Sequence, residues 1–529
     1  MKNVAEVILE ALVAWGVQNI YGVTGDAVLS LVDALGKQDK IKYFSTATEQ
    51  GAAFMANGEA RVTGKPGVCL ATEGPGALNL VNGVADAYRD GIPLLVITGQ
   101  VDSGKLFTHT KQYFDQQQLF GLITGSTSLL TRPESVMGTL QAAMEKALGD
   151  QVPCHLSIPK DIFSSPVEKY HVEPLHQTKP PGINGELGKA LQRLERSQRP
   201  LLITGRAALP FQGQVVELAR RIGAGIIPAQ GAKGLISGNS ELFLGGLGEA
   251  HIPPILLEAD LLLLIGASPY EHQYISLNIP LIQLDTRPQN IAHELQPLAV
   301  TGDLAEILQE LLTGLTGKKP ETSWLTKIRQ SHEDYLDMIC QDAVLMEEPI
   351  PPQRVIALLN ELLPTDAIIA VDTGEFMHWF DRGFIPQNQQ VIISDYWRCM
   401  GGGLPLGLGA KVANNAKKVV VVTGDGGFLM TMQEIITAVR YRLPITVIVF
   451  NNRGYLLEKH RMEKLQMKPH GVEDVVPDFA ALAQSCYAVG MKVEKPEMLP
   501  EMLGAALALD NPVVLDIQVS GRKPMFLKG

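Results

Sequence analysis

The chain lacks a Cys-x-x-Cys pair, a lysine-rich run and an apolar stretch long enough to span a bilayer, and each absence removes a class of function. The five cysteines among 529 residues, Cys69, Cys154, Cys340, Cys399 and Cys486, stand singly. That pattern excludes a disulfide scaffold or a zinc ribbon and points to thiols in a reducing compartment. Lysine and arginine number 45 against 56 acids, for a formal net charge of -11. With no basic stripe, the electrostatic footprint of a nucleic-acid binder is missing. No apolar run approaches the roughly 20 residues that cross a bilayer. The opening Met1-Lys-Asn-Val-Ala-Glu-Val-Ile-Leu-Glu reads as an amphipathic helix carrying acids, not as a secretory signal. A cytoplasmic protein with neither a membrane nor a nucleic-acid partner is expected.

Two nucleotide signatures are also incomplete. Gly99-Gln-Val-Asp-Ser-Gly104-Lys105 has the spacing of a P-loop, but position 106 is leucine, so the magnesium-binding hydroxyl is missing. No Gly-x-Gly-x-x-Gly occurs, even in the glycine-rich segment 401–409. Nucleotide hydrolysis and nicotinamide chemistry therefore lack their parts.

What is present is apolar and alternating. Hydrophobic residues make up 46% and charged residues 19%, enough for several cores, and a domain prior of about 100 to 200 residues suggests three domains. Polar, proline-bearing stretches at 166–182 and 317–352 read as linkers, the second with a helix inside it. They divide the chain into 1–165, 183–316 and 350–529. Apolar runs such as Gly67-Val-Cys-Leu-Ala and Asp260-Leu-Leu-Leu-Leu-Ile alternate with helical patterns. Three α/β domains, each a doubly wound parallel sheet, are expected.

The densest chemistry lies in the last domain. Val419-Val-Val-Val leads into Gly424-Asp425-Gly426, and Ile445-Thr-Val-Ile-Val-Phe leads into Asn451-Asn452. Met432 to Arg442 is expected to form one helix between the two strands. In an open parallel sheet the carboxyl ends of strands bind ligands. One carboxylate and one amide oxygen suit magnesium, whose remaining sites go to phosphate oxygens and water. Glycines let backbone N–H groups approach a phosphate. The competing reading is a pair of ordinary turns.

The stretch Gly424-Asp-Gly-Gly-Phe-Leu-Met to Asn452-Arg-Gly-Tyr resembles the diphosphate anchor of thiamine diphosphate (ThDP) enzymes of the pyruvate decarboxylase, pyruvate oxidase and acetolactate synthase superfamily. The similarity runs over nearly the whole chain. It implies pyrimidine-binding, central and diphosphate-binding domains, in that order, and a cofactor held between the first domain of one subunit and the third of another. A homodimer or homotetramer follows. Asp425, Asn452 and the carbonyl of Gly454 would hold Mg2+, and Gly374, Glu375, Gly424, Gly426 and Gly427 would touch the diphosphate. Met400 matches the bulky residue that bends the cofactor, although most methionines are core filler.

Glu49, in Thr46-Ala-Thr-Glu-Gln-Gly-Ala-Ala-Phe, matches the family's glutamate, which bonds a pyrimidine nitrogen and promotes the tautomer that deprotonates the thiazolium. By composition alone it would be a solvated first-turn residue. The implied reaction is decarboxylation of a 2-oxo acid through a C2 carbanion and an enamine, releasing CO2 and an aldehyde or a ligated product. Asp26 and Glu458 match acids of the decarboxylases, and His109 corresponds to one of their paired histidines or to a surface loop residue. Glu73 stands where a small residue is usual. Acetolactate synthase-like ligation and FAD-dependent oxidation are the alternatives. Ile265-Gly-Ala-Ser-Pro-Tyr and Leu281-Ile-Gln-Leu-Asp285 resemble segments of members both with and without FAD. An inactive ThDP-binding paralogue is the reading of another class, and retention of Glu49, Asp425 and Asn452 argues against it.

Overall fold

A computed structural model describes residues 1–176, 182–267, 275–276, 278–473 and 475–524. It contains three six-stranded sheets flanked by helices. In the first, the order from one edge is Lys42–Ser45, Asn19–Gly22, Gly67–Ala71, Leu94–Gln100, Pro153–Pro159, Ser126–Leu129, and every pairing is parallel. The second runs Asn184–Gly185, Leu298–Thr301, Leu281–Asp285, Leu261–Ile265, Pro200–Thr204, Gly225–Pro228, with only its first, two-residue strand antiparallel. The third runs Gln390–Ile393, Ile368–Val371, Val419–Gly424, Ile445–Asn451, Val513–Gln518, Val489–Val493, again all parallel. The central strands are fully buried, as continuous Val, Ile and Leu runs require when helices cover both faces.

The first and third sheets share one hydrophobic core that includes Phe54, Ala56, Leu404, Leu406 and Val421. Two helices, Glu49–Thr63 and Gly403–Ala413, meet there. A Cβ at Gly58 would stand 2.1 Å from the Leu406 carbonyl oxygen, and one at Gly409 would stand 1.9 Å from that of Met55. Only glycine permits this approach, so the two domains are fixed against each other. The buried Arg61 adds polar links, reaching Asp86 at 2.9 Å, Asp90 at 2.6 Å and the Ile393 carbonyl at 2.8 Å.

The stretch 317–352 contains the helix Thr322–Ala343, while residues 177–181 of the other proposed linker lie outside the described residues. One expectation is corrected. In place of a helix from Met432 to Arg442 there are two, Asp425–Thr431 and Glu434–Arg440. The first begins directly at the strand end, and Thr431 turns its hydroxyl to the Gly401 carbonyl at 2.8 Å. The second places Glu434 against the loop before Glu49, a non-local contact that hydrophobic periodicity does not register. Among the described residues, no helix is long and apolar enough to cross a membrane.

Candidate active site

Gly424 pairs in register with Phe450 on the neighbouring parallel strand, so Asp425 and Asn452 leave the sheet side by side. Between them lies a cavity of about 330 Å³. It is lined by Gly374, Glu375, Met400, Gly424, Asp425, Gly426, Gly427, Asn452, Gly454 and Glu458, the third-domain residues to which the resemblance gives a role. The Asp425 carboxylate accepts the Gly426 N–H at 2.8 Å and the Gly454 N–H at 3.1 Å. Burial nevertheless pushes it up to about 6. A Cβ at Gly426 would meet Tyr455 at 2.6 Å and the Met400 methyl at 3.2 Å, so glycine keeps the cavity open beside the strand end. Asn451 turns the other way and donates to Asp516 at 2.9 Å.

The first-domain residues lie elsewhere. Glu49 is half-buried at the start of its helix and accepts from Asn79 at 3.0 Å, and it does not line the cavity. The Glu49 loop is held by Glu434, whose carboxylate accepts from the Thr48 N–H at 3.0 Å, the Thr48 hydroxyl at 2.9 Å and the Ala47 N–H at 3.2 Å. Asp26 is exposed, with both carboxylate oxygens 2.7 Å from the Lys160 ammonium. Glu73 is buried and accepts from the Thr72 hydroxyl, which itself accepts the Ala27 N–H at 3.1 Å. His109 is exposed in the loop that follows the strand Leu94–Gln100. A single chain thus gathers the third-domain residues and leaves Glu49, Asp26 and His109 apart from them.

Residues 2–119 match the family model described as thiamine pyrophosphate enzyme, N-terminal TPP binding domain, residues 187–311 match the central domain, and residues 372–517 match the C-terminal TPP binding domain. The chain belongs to the thiamine pyrophosphate enzyme family. Among its relatives, a thiamine pyrophosphate-containing protein of Bacillus subtilis is 33% identical over 99% of this chain and 93% of its own length. The acetolactate synthase large subunit of Haemophilus influenzae is 30% identical over 99% of this chain and 96% of its own. That of Parasynechococcus marenigrum is 31% identical over 97% and 87%.

The cavity fits the family's cofactor on its own chemistry. Asn452 Oδ1 is buried without a hydrogen-bond partner, a costly state that a cation ligand role would relieve. Beside it stands the raised carboxylate of Asp425, which a divalent ion would return to its charged form. Among the described residues no group of three or more His, Cys, Asp or Glu could hold a metal. One carboxylate, one amide and backbone oxygens are instead the hard donors that magnesium takes when phosphate completes its shell.

Two residues of this thiamine pyrophosphate enzyme escaped sequence reasoning. Asp372 is buried and pushed up to about 6 by that burial. It accepts from the Gly401 N–H at 3.0 Å and the Thr423 hydroxyl at 2.8 Å, tying the Met400 loop to the strand Val419–Gly424. Its place one residue before Thr373-Gly374-Glu375 was the available signal. Glu434 had none, because its partners lie near residue 48.

Proposed function

We propose that this thiamine pyrophosphate enzyme is Mg2+-dependent and decarboxylates a 2-oxo acid, then hands the remaining unit to a second carbonyl compound. The observation that carries this reading is the single cavity in which the candidate magnesium donors, the diphosphate glycines, Met400 and Glu458 converge. Asp425, Asn452 and the Gly454 carbonyl would hold the ion, with Gly374, Gly426 and Gly427 against the diphosphate. Bound there, thiamine diphosphate supplies a carbon nucleophile and an electron sink for loss of CO2. Met400 shapes the space beside Gly426. Glu458 places a carboxyl at the cavity wall, positioned to move a proton at the reacting carbon. Glu49, held by the Thr48 and Glu434 contacts, serves the pyrimidine side from a partner subunit, because its own chain keeps it out of the cavity. A homodimer is then the smallest active unit.

The acetolactate synthase relatives support ligation as the fate of the decarboxylated unit. Release of an aldehyde is the second reading, supported by Glu458 at the cavity wall. Oxidation would require FAD. The central-domain segment beginning at Ile265 runs into residues 268–274, outside the described residues, so a flavin spectrum of the purified protein is the direct test. The main test is CO2 release with ThDP and magnesium across a panel of 2-oxo acids, followed by product analysis. A 2-hydroxyketone supports ligation and an aldehyde supports the second reading. No CO2 from any acid contradicts both.

A further inference from the structure

The helix Glu375–Gly383 begins directly after Gly374, and both Gly374 and Glu375 line the cavity. Backbone N–H groups at such a start favour an anion, whereas a carboxylate on the same wall opposes one. Glu375 is therefore an acid where a diphosphate would sit. Its side chain is only 5% exposed, and its Oε2 lies 2.8 Å from Nδ1 of His460. The two atoms are off the line of a hydrogen bond, and both are buried with no such partner elsewhere.

His460 is the one buried residue of the helix Leu456–Lys464, and it does not line the cavity. Leu456, Leu457, Glu458 and Arg461 of the same helix do. Arg461 is turned to Glu458 at 3.1 Å and to Glu249 at 3.5 Å, so this neighbouring cation is engaged by other acids. The imidazole thus meets Glu375 Oε2 on a side sealed from the cavity. A histidine at this distance shares a proton with the carboxylate and draws its charge away from the wall. Without that partner the carboxylate either stays buried and unpaired or turns into the cavity. The first course costs free energy. The second sets like charges together once a diphosphate is bound.

Resting on the reading of this cavity as the diphosphate site, we infer that His460 is a positioning residue, which holds the Glu375 carboxylate aside so that the wall accepts the anionic end of the cofactor. The penalty for losing His460 then belongs to the charge of Glu375. Removing that charge removes the penalty.

The test is calorimetric titration of ThDP, at saturating magnesium, into the full-length protein and its variants. His460→Phe keeps an aromatic ring without a polar partner and should weaken ThDP binding at least about tenfold, because like charges in a partly buried site repel strongly. In a Glu375→Gln background the same substitution should change Kd by less than about threefold. His460→Asn, whose amide can donate in place of Nδ1, should recover most of the loss. His460→Ala, carried through the same cycle, gives the same comparison if phenylalanine does not fit the helix. A helix that merely lost packing would weaken ThDP equally with either residue at position 375. Wild-type affinity in both His460→Phe and His460→Ala, or an equal loss in the two backgrounds, overturns the inference and leaves the site reading standing. ThDP binding that Asp425→Asn does not weaken overturns the site reading, and the inference with it.

Discussion

Asp425→Asn should leave the free protein almost as stable as before while removing its stabilisation by cofactor. In the wild type the buried carboxylate is pushed from 3.8 up to about 6, which corresponds to about 3 kcal/mol against folding at neutral pH. Asparagine removes that charge and keeps one oxygen for the Gly426 N–H. Its amide nitrogen then faces the Gly454 N–H, now 3.1 Å from a carboxylate oxygen, and an unpaired buried donor costs about 1–3 kcal/mol. The two effects offset, so the free variant should unfold within about 2 kcal/mol of the wild type. With ligand the outcomes separate. ThDP and magnesium at 100 times Kd stabilise the wild type by about 2.7 kcal/mol. If loss of the carboxylate weakens binding about 100-fold, the same mixture adds only about 0.4 kcal/mol to the variant. Denaturant unfolding with and without ThDP and magnesium measures both terms. A variant that keeps the full ligand increment would refute the assignment of Asp425.

The same group gives a pH signature. Its value is raised in the folded state, so its favourable contribution is complete below 3.8 and is lost as pH rises through about 6. The free Asp425→Asn protein should therefore show a flatter stability profile than the wild type across that window. Asp86 and Asp372, also raised to about 6, remain in both proteins and cancel in the comparison.

Gly51→Ala would place a Cβ 2.1 Å from Glu434 Oε1, and thermal unfolding should show a loss of about 1–3 kcal/mol; an unchanged melting temperature contradicts the packing described. Glu49→Gln should bind ThDP and magnesium but lose at least about 100-fold in kcat, and a wild-type rate contradicts its role. Met400→Ala removes a side chain lining the cavity, and fluorescence titration should show ThDP binding weakened by roughly tenfold or more.

Much of this is legible in the chain. Continuous apolar runs with helical patterns between them give three parallel sheets, because strands covered on both faces have no polar side to display. Gly424-Asp425-Gly426 and Asn451-Asn452 are joined by sequence alone, since consecutive parallel strands end at the same edge. The helical region between them is not, because Glu434 answers to Thr48 and not to its own helix. Asp26, Glu73 and Glu458 stand out by position, but only the fold pairs Asp26 with Lys160, tucks Glu73 against Thr72 and sets Glu458 at the cavity wall.

The central claim is that Glu49 of one chain completes the cavity of another, and it is tested most directly by mixing two crippled variants, assayed near the wild-type cofactor Kd where the Asp425→Asn site is only about 1% filled. Glu49→Gln and Asp425→Asn chains, denatured together and refolded in equal amounts, would form mixed dimers in which one site has both residues intact. Random pairing then restores about one quarter of wild-type activity. If each chain instead built its site from its own Glu49 and Asp425, no pairing would restore an intact site and the mixture would stay inactive.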